Sequence, residues 1–162
     1  MKVGILSDTH DNLENVRRAC DLFAREGVTL LLHCGDVCGS AVVEALDGFT
    51  VYFALGNMDR VHALGMAVDA LQGGRLARLH ELTLAGKTLA LLHGDDSHLL
   101  QRCILSGTYA YVVHGHTHRR RDDRRGTTRI VNPGALGGVR LESRSIAILD
   151  LTTDQLTFHT LP

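Results

Sequence analysis

The chain has 162 residues, 44% hydrophobic and 22% charged, which is ordinary globular usage for about one domain. With 17 Lys+Arg against 18 Asp+Glu the formal charge is −1, so bulk electrostatics gives no argument for nucleic acid or an anionic membrane surface. Two prolines and no low-complexity tract exclude a disordered or collagen-like chain, and no apolar run approaches the ~20 residues that span a bilayer.

Residues Lys2 to Leu6 form an apolar run that ends in Ser7-Asp8-Thr9-His10. The acid and the histidine come too early for a secretory leader, so the chain reads as cytoplasmic. Apolar spacing at Leu13, Val16, Ala19-Cys20 and Phe23 predicts a helix over Leu13 to Arg25, stopped by Gly27. Val28 to Leu32 reads as a strand buried on both faces and runs into His33-Cys34-Gly35-Asp36. Ser40 to Leu46 is a short helix, and Val51 to Leu55 a further strand leading to Gly56-Asn57-Met58-Asp59. This alternation implies parallel βαβ units.

The pattern then changes. Leu82 to Leu84 and Leu89 to Leu92 read as a hairpin about Ala85-Gly86-Lys87, running into His93-Gly94-Asp95. Ser97 to Leu105 is a helix, with Asp95 as a candidate cap. Tyr109 to Val113 is a strand ending in His114-Gly115-His116-Thr117-His118. Arg119 to Arg125 with Gly126 reads as a solvated turn, since it lacks aromatic interleaving and contains two acids. Arg129 to Val131 returns as a strand into a turn at Asn132-Pro133-Gly134. Ser145 to Leu151 and Leu156 to Thr160 close the chain as an antiparallel hairpin. The expected architecture is α/β, in one domain over residues 1–162. Two mixed β-sheets pack as a sandwich with helices on the outside, an α/β/β/α layering.

The polar residues follow a positional rule. Five apolar strands each run into a polar cluster: Asp8/His10, Asp36, Asn57/Asp59, His93 and His116/His118. Ligands of open α/β sheets bind beyond the carboxyl ends of the strands, so clusters scattered in sequence should converge. Asp8 and His10 are two residues apart, which on an extended segment points both side chains to one face, and His116/His118 repeat the spacing. Carboxylates, imidazoles and one amide suit Mn, Fe, Zn or Ni, with manganese first. Seven donors with one shared carboxylate give about four ligands to each of two ions, and such pairs, ~3.5–4 Å apart, recur in phosphoryl chemistry.

Cys20, Cys34, Cys38 and Cys103 contain no CxxC pair, so neither a disulfide framework nor a structural zinc site is expected. His33 and His114 sit on strands just before candidate ligands and read as buried orienting groups. His62, His80 and His159 read as surface or packing residues. Asn12 is divided between touching substrate and capping the first helix.

The ordered signatures SDTH (Ser7 to His10), GD (Gly35-Asp36), GN (Gly56-Asn57), HG (His93-Gly94) and GHTH (Gly115 to His118) resemble the calcineurin-like metallophosphoesterase superfamily. The short length and the Asn132-Pro133-Gly134 turn look like its small single-domain prokaryotic phosphodiesterase branch. The resemblance implies that Asp8, His10 and His118 hold one ion, that Asn57, His93 and His116 hold a second, and that Asp36 bridges them. It implies a hydroxide between the ions attacking phosphorus in line, with Asp36, Asn57 and His93 at the reacting centre. A small phosphoester is the expected substrate, and a homodimer is a family expectation.

Where much of the superfamily places a proton-donating His after Gly-Asn, this chain has Met58. Asp59, His62 and His98 are the nearest substitutes, and Asn12, Asp59 and His98 the candidate substrate contacts. Without general-acid help, worth roughly 10²–10⁴-fold, good leaving groups such as aryl or nucleotidyl oxyanions are favoured. The competing reading is a non-catalytic scaffold binding protein partners, as in a retromer-coat relative of the same fold. A mononuclear deaminase or peptidase would leave Asp36 and Asn57 together without a use, and no HExxH is present.

Overall fold

The apolar runs become strands in two layers. The computed structural model describes residues 1–162. β1 (Lys2–Leu6), β2 (Leu30–His33), β3 (Thr50–Ala54) and β4 (Gly74–Ala77) are parallel neighbours in that order. They are joined through α1 (Leu13–Arg25), α2 (Ser40–Ala45) and α3 (Val61–Ala70). β10 (Ser145–Asp150) adds antiparallel to β1, and β11 (Gln155–Thr160) to β10, which completes a six-stranded sheet. The second sheet has the order β5 (Leu79–Leu84), β6 (Lys87–Leu92), β7 (Tyr111–Val113), β9 (Thr128–Pro133), β8 (Arg120–Arg125). Its three central strands are parallel and its two outer pairings antiparallel. α4 (Ser97–Leu105) links β6 to β7.

Strand alternation sorts the core into three layers. Val3, Ile5 and Leu32 meet Leu89, Leu91, Val113 and Val131 between the sheets. Leu6, Leu31, Val51 and Phe53 face the other way, against Val16 and Phe23 of α1, Val42 of α2 and Leu64 of α3. Ala90, Val112 and Ile130 face Cys103 and Ile104 of α4. At Gly4 a Cβ would stand 2.6 Å from both Phe23 Cε1 and Leu31 Cδ2, so the missing side chain is what lets α1 lie flat on β1. The α/β/β/α sandwich of mixed sheets is therefore the fold. No helix is long and apolar enough to cross a membrane.

Several expectations need correction. The segment Arg119 to Arg125 is not a turn: Arg120–Arg125 forms β8, an edge strand, and the tip is Gly126-Thr127. An edge strand exposed on one face need not show apolar alternation. Asn132-Pro133 lies inside β9 rather than in a turn, and the chain bends at Gly134, whose φ is 84°. Asp96, not Asp95, caps α4 by accepting from Leu99 N at 2.9 Å. α3 and β4 occupy a stretch for which no element was expected; α3 is nearly uncharged and buries only Leu64 and Val68.

Candidate metal centre

All seven candidate ligands lie just past the carboxyl ends of β1, β2, β3, β6 and β7. Backbone bonds stitch these exits together. Asp8 N donates to Gly35 O at 2.9 Å, His10 N to Asp36 O at 3.1 Å, and Gly115 N to His93 O at 2.9 Å. The convergence does not come from strand alternation, as the two-residue spacing suggested. Asp8, His10, Asp36, His116 and His118 all have positive φ, between 40° and 67°. Left-handed backbone in non-glycine residues is uncommon and is found where surrounding structure enforces it.

Asp8 is fully buried, and its two oxygens differ. Oδ2 accepts from Ser7 Oγ at 2.5 Å and from His116 N at 3.1 Å. Oδ1 has no hydrogen-bond partner, with His118 Nε2 3.2 Å away. His10 Nε2 is likewise buried and unpartnered, 3.7 Å from Asp36 Oδ2. On its other side, Asp36 Oδ1 accepts from Met58 N at 2.9 Å and stands 3.5 Å from His93 Nε2. Burial opposes the charge of Asp36, but the bonds from His93 and the Met58 amide outweigh it and hold its carboxyl below the usual range. His93 moves the opposite way: burial opposes its charge, and contact with Asp36 more than compensates, so its pKa is raised.

Two compact donor groups emerge, Asp8/His10/His118 and Asp8/Asp36/His93. Asp8 is common to both, and Asp36 belongs to one. One Asp8 oxygen is already bonded twice by the protein, whereas the Asp36 oxygens face His93 and His10 separately. Asn57 Oδ1 stands 3.1 Å from His93 Nε2, and the His116 ring centroid is 5.0 Å from that of His93, edge to face. Glycine is required at Gly56, where a Cβ would collide with Asp36 Oδ1 and the Asp36 amide.

A supporting layer fixes these groups. His33 is fully buried; its Nδ1 accepts from Gly35 N at 3.2 Å, and its Nε2 lies 3.2 Å from Thr9 Oγ1. Thr9 Oγ1 donates in turn to the carbonyls of Asp36 and Val37. Burial drives the His33 pKa down to about 3 and that of His114 to about 4. The Asp59 carboxylate accepts from the amides of Gly56 (2.8 Å), Cys38 (2.9 Å) and Asp36 (3.1 Å), so it latches two ligand loops together. Asn12 caps α1, accepting from Asn15 N at 3.2 Å. His98 is exposed on the first turn of α4, and His80 packs against β3 through the Phe53 carbonyl at 2.9 Å.

Sequence reasoning missed two parts of this layer. Asn132 is buried, and its Nδ2 donates to Gly115 O at 2.8 Å and to Thr117 Oγ1 at 3.1 Å, bracing the His116 loop. The segment 135–139 forms a wall: Gly137 N donates to Asp8 O at 2.7 Å, and Val139 O meets His118 Nδ1 at 2.8 Å. The pair Gly137-Gly138 was the available signal, because a Cβ at Gly138 would stand 2.9 Å from His118 Cε1.

Residues 1–154 match the Calcineurin-like phosphoesterase superfamily domain. The chain belongs to this family. Among calcineurin-like phosphoesterases it is 30% identical over 154 residues to Phosphodiesterase MJ0936 of Methanocaldococcus jannaschii, covering 93% of each chain. A solved archaeal phosphodiesterase superposes with a TM-score of 0.91 at 29% identity, over 99% of this chain and 100% of that one. Vps29 of Chaetomium thermophilum shares the fold alone, with a TM-score of 0.74 at 14% identity, over 99% of this chain and 95% of that one.

Proposed function

We propose that this chain is a metal-dependent phosphodiester hydrolase working with two divalent ions, manganese first among them. Asp8, His10 and His118 would hold one ion, Asn57, His93 and His116 the other, with Asp36 between. The observation that carries this reading is that Asp8 Oδ1 and His10 Nε2, two of the three buried side-chain atoms without a hydrogen-bond partner, lie beside a carboxylate whose oxygens face different histidines. A buried carboxylate oxygen without a donor is costly, and a divalent cation is the partner that a set of oxygens and imidazoles fits. Two such ions, when bound, supply a nucleophile from water near neutral pH and stabilise charge on the phosphate oxygens.

The chain's own residues do the positioning. His93 and His118 direct Nδ1 at carbonyl oxygens, Cys34 O at 2.7 Å and Val139 O at 2.8 Å. That contact places the proton on Nδ1 and leaves each Nε2 lone pair aimed at the centre. Met58 has no proton to give to a departing oxygen, and the oxygens of Asp59 are committed to three backbone amides. Leaving groups that depart unprotonated, aryl or nucleotidyl, are therefore the favoured substrates. The similarity to a protein named as a phosphodiesterase supports the diester reading.

The test is hydrolysis of bis(4-nitrophenyl) phosphate and 4-nitrophenyl phosphate by chelator-stripped protein given back Mn²⁺, with Asp36→Asn alongside. Expected are metal-restored turnover, faster on the diester, and its loss in the variant. Folded protein that binds two ions and turns over neither ester would overturn the enzyme reading in favour of a scaffold.

A further inference from the structure

The histidines of the centre do not share one kind of backing. His93 and His118 set Nδ1 against carbonyl oxygens at 2.7 and 2.8 Å. His10 sets Nδ1 against a thiol, Cys38 Sγ, at 3.6 Å. A carbonyl is a strong acceptor that pins an imidazole N–H, whereas sulfur is a weak one.

The thiol is held in place deliberately by its neighbours. Cys38 N donates to Asp59 Oδ1 at 2.9 Å, and the next amide, Gly39 N, donates to Asp11 Oδ1 at 2.7 Å. Cys38 itself has φ 74°, a conformation that glycine adopts without steric cost. The backbone thus favours glycine at a position where the chain carries a sulfur aimed at His10. The other end of the same imidazole is the unpartnered Nε2, close to the unpartnered Asp8 Oδ1 in one donor group.

We propose that Cys38 is a positioning residue for His10: its sulfur receives the Nδ1–H and so turns the Nε2 lone pair toward Asp8 and Asp36. This rests on the two-ion reading above. It follows that Cys38 tunes the affinity of one half of the centre, the Asp8/His10/His118 half, and leaves the His93 half alone.

The experiment is calorimetric titration of chelator-stripped protein with Mn²⁺, comparing wild type, Cys38→Gly and Cys38→Asn, with urea unfolding of each. Cys38→Gly relieves the backbone and should be at least as stable as wild type. Its affinity should nevertheless fall about tenfold or more in one of two binding steps, the usual scale for losing a partner behind a metal ligand. Cys38→Asn keeps a left-handed-tolerant residue and offers an oxygen acceptor, so it should restore that step or tighten it. The proposal is overturned if Cys38→Gly binds both ions as wild type does, if both steps weaken together, or if Cys38→Asn fails to restore the weakened step. Wild type that binds no Mn²⁺ overturns the two-ion reading itself, and this inference with it.

Discussion

Two charged clusters in this molecule are built from the same materials and reach opposite states. Around Arg129 every charge is answered. Its guanidinium meets Asp122 through two bonds, at 2.7 and 2.8 Å, and Asp154 Oδ1 at 2.7 Å. Asp154 also accepts from Tyr111 Oη at 2.9 Å. Burial opposes the Asp154 charge, but the bonds from Arg129, Tyr111 and Arg124 outweigh it and keep its carboxyl below the usual range. Around Asp8 and Asp36 there is no arginine or lysine among the contacts. Burial is deeper there, and Asp8 Oδ1 and His10 Nε2 have no partner. A satisfied network holds strands together; an unsatisfied one is complete only with something bound.

The largest effect should come from removing the shared carboxylate. Asp36→Asn is expected to cut Mn²⁺-dependent hydrolysis by on the order of 10³-fold, because several kcal/mol of charge stabilisation depend on that centre. The same variant should unfold in chelator only slightly earlier than wild type, since the bonds from His93 and the Met58 amide that favour the Asp36 charge are partly offset by its burial. Equal losses of stability and activity would erase the contrast between the clusters.

Arg129→Met is the mirror image. It strands Asp122 and Asp154 and should lower unfolding stability by about 2–4 kcal/mol, discounted because both acids are partly solvated. Steady-state turnover at a temperature where the variant is still folded should be unchanged. A specific loss of activity there would mean that the ion-pair cluster serves the centre after all.

Asn132→Ala tests the bracing of the His116 loop. It should weaken metal binding about 10–100-fold with the fold retained, read by metal titration and far-UV circular dichroism.

The smallest effect is a pH slope. His33 and His114 have folded pKa values of about 3 and about 4, below an unfolded value near 6.5. The unfolded chain therefore binds more protons between those limits, so stability is complete above pH 6.5 and declines as pH falls toward 3. Between pH 7 and pH 6 the loss should be under about 1 kcal/mol per histidine, measured by urea midpoints in chelator. His114→Phe should flatten the slope; an unchanged slope would show that His114 is already charged in the folded chain.

Much of this centre was legible because parallel strands announce themselves twice. β1, β2 and β3 are apolar runs that stop abruptly at Asp8, Asp36 and Asn57, so one pattern gave both the element and its candidate ligand. β8 was illegible for the converse reason: its six residues are all charged, and its strand character comes from pairing with β9. α3 has little polar face to mark it, and its buried side is only two residues deep. The left-handed turns at Asp8, His10, His116 and His118 leave only a weak trace in residue type, since Asp and His are enriched in that conformation but do not demand it. Asn132 looked like a turn former because Pro and Gly follow it, while its side chain was bracing a loop 15 residues upstream.

β1 lies between β2 and β10, so the strand carrying Asp8 is completed by a segment that begins at Ser145. On the ribosome, the first three strands emerge with Asp8, His10, Asp36 and Asn57 long before His93, His116 and His118. Until β10 arrives, one side of β1 is an open edge of unpaired amides. The nascent chain thus spends most of its synthesis with an incomplete sheet. Its assembly is dominated by long-range pairings, which close slowly. A message truncated ahead of Ser145 would accumulate chains with that edge exposed, a natural target for chaperones and proteases.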